Sequence, residues 1–191
     1  MPGSHIPNSS ASEEVMALAV EQGTATDPQV FARNHVVVAV QSGNPREVRG
    51  LADLARPELR VGLCDLEDPC GRAADVLLAA AGVVPPEVNR DEGSRALAAR
   101  LAGNELDVGI VYRTDVAFSH GWVTQADVDE RDRELVQATG MTRYVLARVP
   151  GGEDGQDAGA ERTAAGEFRR LVTSDRGRLA LENAGLDALP H

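Results

Sequence analysis

Residues 59–82 read LRVGLCDLEDPCGRAADVLLAAAG. The first six, LRVGLC, make a short apolar strand. Residues 65–69 are a polar loop ending in proline. Residues 71–81 (GRAADVLLAAA) are dominated by Ala and Leu, strong helix formers, and Gly82 supplies the stop. Strand, loop and helix in that order form one βα unit, and the fold depends on what surrounds it.

The alternation continues on both sides. Upstream, residues 35–40 (HVVVAV) are a near-continuous β-branched run, the pattern of a buried strand. Ser42-Gly43-Asn44-Pro45 ends it with turn chemistry, and residues 51–55 make a short helical turn before Pro57. Downstream, Pro85-Pro86 opens a linker. Residues 94–101 (SRALAARL) form a helix stopped by Gly103-Asn104, and residues 108–112 (VGIVY) a third strand. Residues 127–136 are polar, helical or irregular, and residues 143–149 (RYVLARV) form a fourth strand. The acidic, Gly-rich stretch 151–159 reads as a mobile loop. Two helices follow, 160–171 and 175–183, with Ser174 as N-cap of the second. Near the start, Ser12 caps a helix of about ten residues ending at Gly23, and residues 24–29 form a polar connection. The expected class is α/β, a mainly parallel sheet flanked by helices. In such sheets ligands sit at the carboxyl ends of the strands, where helix N-termini point.

Composition narrows the function. A chain of 191 residues, 42% hydrophobic and 26% charged, suffices for one ordinary domain or two small lobes. No stretch approaches the roughly 20 apolar residues of a membrane span. Residues 1–10 (MPGSHIPNSS) lack the basic and apolar regions of a signal peptide, so residues 1–9 read as a disordered start or a tag. The net charge of -11 repels a phosphate backbone and argues against nucleic acid as a partner. All 19 basic residues are Arg, which removes Lys Schiff-base chemistry and the P-loop. His5, His35, His120 and His191 are scattered, and no spacing suits zinc or calcium.

Two loop-to-helix junctions carry the candidate chemistry: Asp65-Leu66-Glu67-Asp68-Pro69-Cys70-Gly71-Arg72 and Asp91-Glu92-Gly93-Ser94-Arg95. A helix start leaves backbone N–H groups without intrahelical partners and carries about half a positive charge. Two such ends aimed at one point hold an anion without Lys or Arg. Tyr112, closing the third strand, adds a phenol donor. Such junctions also occur in ordinary βα turns with no ligand, so pattern alone leaves both readings open. Cys64 and Cys70, six positions apart, read as unpaired thiols, with a disulfide as the alternative in an exported protein. Neither His nor Asp is placed by sequence as a base for a Cys70 nucleophile. Asp127, Asp129, Glu130 and Asp132 read as a solvated face, and Phe118 and Trp122 beside His120 as caps on the core.

From about Ser10 to its end the chain resembles the second half of the molybdate-binding component of ABC importers, a type II periplasmic binding protein. The segments that carry the likeness are VFARNHVVVAVQSGNP (30–45), LADLARPELRVGLCDLEDPCGRAADVLLAAAGV (51–83), EGSRALAARLAGNELDVGIVYRTD (92–115) and FRRLVTSDRGRLALENAGL (168–186). Their order and spacing are more specific than any one of them.

The resemblance implies a fold with residues 10–34 as a remnant of the first lobe and approach to the hinge. Residues 35–148 then form the second, ligand-binding lobe, and 149–191 the acidic loop and closing helices. The first lobe is expected to be largely missing, with its Ser donors, so the chain alone should bind weakly or not at all. It also implies second-lobe contacts to molybdate or tungstate from the backbone of Cys70 and of Ser94 and from the Tyr112 hydroxyl. No cofactor beyond that oxyanion, no catalysis, an ABC transporter permease as partner and a periplasmic or extracellular setting follow from the same likeness. The alternative is an oxyanion-sensing effector domain of a transcription regulator.

Overall fold

In the computed structural model, residues 13–149 and 158–189 are described. The expected cap at Ser12 and most of the 151–159 loop lie outside them. The chain divides into two compact units. Unit 1 comprises Met1–Arg33, Arg143–Asn183 and Asp187–His191; unit 2 comprises Asn34–Thr142 and Ala184–Leu186.

Unit 2 is built on the unit quoted above. Strand β2 (Val61–Cys64) leads into helix α2 (Pro69–Ala81), which starts with proline at its first positions and stops at left-handed Gly82. Strand β3 (Asn89–Asp91) leads into α3 (Ser94–Ala102), and β4 (Val108–Tyr112) into the short α4 (Arg113–Phe118). Strand β5 (Val123–Gln125) and helix α5 (Glu130–Thr139) follow. The long strand β1 (Thr26–Gln41) contributes its second half here. The strand order is β3-β2-β4-β1-β5. β3, β2 and β4 run parallel, as βα units require, while β1 lies antiparallel to both β4 and β5.

Burial follows the apolar runs. Residues 36–40 of β1 are buried without alternation, because both sheet faces are covered. Leu63, Leu77, Leu97, Leu101, Leu106 and Ile110 are fully buried around them. A 3₁₀ turn at Leu51–Ala55 buries Leu51 and Leu54. Its start is held by α5: Asp132 accepts the Leu51 N–H at 2.6 Å. Asp129 caps α5 by accepting the Asp132 N–H. The acidic cluster is therefore more than a solvated face.

Unit 1 contains α1 (Glu13–Glu21), the first part of β1, most of β6 (Met141–Arg148), α6 (Ala158–Val172), α7 (Asp175–Asn183) and β7 (Asp187–Ala188). β7 pairs antiparallel with β1 through Ala32 opposite Ala188 and Arg33 opposite Asp187. Arg169 of α6 bonds Gln29 and Asp27 of β1. Ser174 Oγ accepts the Gly177 N–H at 3.2 Å, the cap expected for α7. Several apolar side chains of this unit stand exposed, among them Leu18, Phe168 and Leu179.

Three expectations are corrected. Residues 24–29 are not a connection from end to end, because β1 begins at Thr26. Phe118 and Trp122 do not cap the core; they are 57% and 67% exposed. Cys64 and Cys70 are not unpaired thiols but a disulfide, with Cα atoms 5.9 Å apart. The tight turn between β2 and α2 brings them within bridging distance, which linear spacing does not specify.

Candidate functional site

The three residues singled out from sequence stand at one end of the unit 2 sheet. Register fixes this: Cys64 of β2 lies opposite Asp91 of β3, and Gly62 of β2 opposite Gly109 of β4. The carboxyl ends of all three parallel strands thus share an edge, and α2, α3 and α4 start from it. Adjacent strands are roughly 4.8 Å apart, so these starts are neighbours.

Cys70 lies in the first turn of α2 and is buried. Its Sγ is 3.8 Å from the carbonyl oxygen of Ile110, which seats the α2 start against the end of β4. The loop before it is drawn tight: Asp65 N–H donates to Asp91 O, and Asp68 N–H to Asp65 O, both at 3.0 Å. Gly71 is required by this approach, since a Cβ there would fall 2.0 Å from the Asp65 carbonyl oxygen. The disulfide closes the same loop from the end of β2.

Ser94 is the first residue of α3 and is buried. Its hydroxyl donates to the carboxylate of Asp115, a buried residue in the first turn of α4. The Ser94 side chain is thereby committed, leaving its backbone N–H as the group that can meet a ligand. Neither helix start is capped by a side chain: Asp68 before α2 and Gly93 before α3 make no such bond, in contrast to Asp129 before α5. The first-turn N–H groups keep their donor character and their share of the helix dipole.

Tyr112 ends β4 and is half-buried. Its hydroxyl lies 2.9 Å from Thr142 Oγ1. Either oxygen can donate. When Thr142 donates, the phenol keeps its own proton for a ligand.

Sequence reasoning missed Asp115 and Thr142, which orient Ser94 and Tyr112. Asp115 lies inside the quoted GNELDVGIVYRTD stretch, yet an acid in a helix carries no signal that it is buried. Thr142 is 30 residues from Tyr112 and has no local signature. Around the mouth, Arg72 donates to the Glu67 carbonyl, and Arg90 to the Cys64 carbonyl at 2.7 Å and to Asp75. These guanidiniums brace the loops. Among the described residues, no cluster of three His, Cys, Asp or Glu side chains is placed to hold a metal ion, and no helix is long and apolar enough to cross a membrane.

Comparison with known proteins places this geometry. Residues 9–187 match the family model of the bacterial extracellular solute-binding protein. The molybdate-binding protein ModA of Mycobacterium tuberculosis (strain H37Rv) is 28% identical over 162 residues, 84% of this chain. The chain spans 57% of the length of that relative. Two solved structures share the fold. One is the substrate-binding domain of a putative molybdenum ABC transporter from Clostridium difficile, with TM-score 0.71 and 17% identity. It is matched over 94% of this chain and 75% of its own. The other is the periplasmic molybdate-binding protein of Azotobacter vinelandii, with TM-score 0.70 and 16% identity over 95% and 77%. Fold, sheet-edge geometry and a match over most of its length agree: the chain belongs to the bacterial extracellular solute-binding protein family.

Proposed function

We propose that this chain binds a tetrahedral oxyanion of the molybdate or tungstate type as the solute-binding component of an ABC importer, outside the cytoplasmic membrane. The observation that carries the reading is the gathering of two uncapped helix starts, at Cys70 and Ser94, and the Tyr112 phenol on one sheet edge. These donors are neutral. They hold a dianion through charge-assisted hydrogen bonds and release it without breaking an ion pair. Selection against sulfate then comes from the size of the cradle, because sulfate accepts the same bonds.

Binding without chemical conversion suits the groups present. Both thiols are consumed in the disulfide, so Cys70 offers no nucleophile, and the Ser94 hydroxyl is held by Asp115. The oxyanion is cargo, and no resident cofactor is invoked. The names of the curated relatives support molybdate and a transport setting, and do not favour the regulator reading.

A thermal-shift panel tests the proposal. Molybdate and tungstate should raise the midpoint, by an increment that grows with ligand concentration, and sulfate and phosphate should not. Backbone amide resonances of Cys70, Gly71 and Ser94 should move with the two larger ions. No response to either at millimolar concentration, or equal responses to sulfate and phosphate, would overturn the assignment.

A further inference from the structure

The chain has three Phe, two Tyr and one Trp. Against that scarcity, Phe118 and Trp122 are displayed on the surface of unit 2, 57% and 67% exposed. With Arg95 and His120 they wall a pocket of about 450 Å³ over the Ala98 and Ala102 positions of α3. The display is built rather than frayed. Ser119 Oγ lies 2.8 and 3.0 Å from the carbonyl oxygens of Val116 and Val123 and accepts the Val123 N–H at 3.1 Å. Trp122 N–H donates back to Ser119 O, across a turn in which His120 and Gly121 are both left-handed (φ 54° and 85°). A non-glycine residue held there costs free energy that the turn's own bonds offset.

The pocket also has a sign. The Arg95 side chain is 88% exposed, and its Nε is 3.9 Å from Asp115, whose other oxygen takes the Ser94 proton. A projecting guanidinium beside two aromatic rings is a local exception in a chain of net charge -11. Half-exposed Trp, Phe and Arg around an open pocket suit a protein side chain better than a small molecule, which would need fuller enclosure.

We infer that this pocket seats an apolar side chain of the importer's permease, with a neighbouring permease carboxylate meeting Arg95. The inference rests on the transport reading above. It adds a route by which the partner senses the cargo site: Arg95 adjoins Ser94, and Asp115 links the pocket wall to the start of α3.

The test uses the full chain and its cognate permease–ATPase complex in nanodiscs. Affinity for the complex and stimulation of its ATPase are read beside the molybdate thermal shift. Trp122→Ala and Phe118→Ala should weaken docking about thirtyfold each, the range of interface anchors, with the molybdate response unchanged. That retained response also shows that the variants fold. Arg95→Gln should weaken docking and reduce its dependence on salt. Docking of all three variants at wild-type affinity would overturn the inference while leaving the oxyanion reading intact, as would a molybdate-responsive wild type that never engages the complex. A wild type that answers to no oxyanion fails earlier, at the reading on which the inference stands.

Discussion

Asp107 sits just before β4 and Arg60 just before β2, at the sheet end opposite the candidate site. The carboxylate is 3% exposed and accepts the Arg60 N–H at 2.9 Å, Arg60 Nε at 3.0 Å and NH2 at 2.8 Å, and Arg46 Nε at 3.0 Å. These bonds, those from the Arg60 side chain first, hold its carboxyl well below the ordinary carboxylate range despite burial. A depressed folded-state value means stability that is fully present above the unfolded value near pH 4 and lost as pH falls through the folded one. Asp107→Asn should therefore destabilise the protein by about 2 kcal/mol at pH 7, since it removes charge-assisted bonds whose partners are half-exposed. It should also flatten the loss of stability between about pH 4 and pH 2. Urea unfolding of both proteins across that range decides it; parallel curves would refute the assignment of the acid limb to this residue.

At the scale of elements, the junction between β2 and α2 has its own constraint. The disulfide closes a loop of seven residues, 64–70, whose far end carries one of the proposed donors. On a chain-entropy estimate such a closure contributes about 2 kcal/mol. Reduction by a dithiol, or the double change Cys64→Ser with Cys70→Ser, should lower the melting midpoint by about 5 °C. It should also diminish the molybdate shift, because the α2 start loses its tie to β2. Calorimetry with and without dithiothreitol reads both, and an unchanged midpoint would exclude the clamp. How far the elements could be read in advance follows from their length. VGIVY at Val108–Tyr112 and DRGRLALEN at Asp175–Asn183 are long and patterned enough to be read to the residue. β3, β5 and β7 hold three, three and two residues, too few to show a period, and exist because neighbouring strands offer them pairing. The polar start of β1 is a strand for the same reason: β7 and the Arg169 side chain hold it, not its own composition. Site residues divide likewise. Cys70, Ser94 and Tyr112 lie at element boundaries that local sequence marks. Asp115, Thr142 and the disulfide depend on pairings across the fold, which it does not.

For the molecule as a whole, the net charge of -11 and the proposed dianionic cargo oppose each other at long range. The donors at Cys70, Ser94 and Tyr112 act only within hydrogen-bond reach, so an approaching dianion meets repulsion before attraction. Salt shortens the reach of that repulsion from about 30 Å at 10 mM to about 8 Å at 150 mM, while short donor contacts in a desolvated cradle are screened much less. The usual salt dependence of anion binding is thus reversed. A site built from Arg or Lys loses affinity as salt rises; this one should gain it, by about three- to tenfold between 10 and 150 mM sodium chloride, chiefly through faster association. Calorimetric titration with molybdate at several chloride concentrations measures the trend. An affinity that falls with salt would mean that guanidiniums near the mouth, Arg72, Arg90 or Arg95, carry the anion instead of the peptide N–H groups. It would move the site off the helix starts.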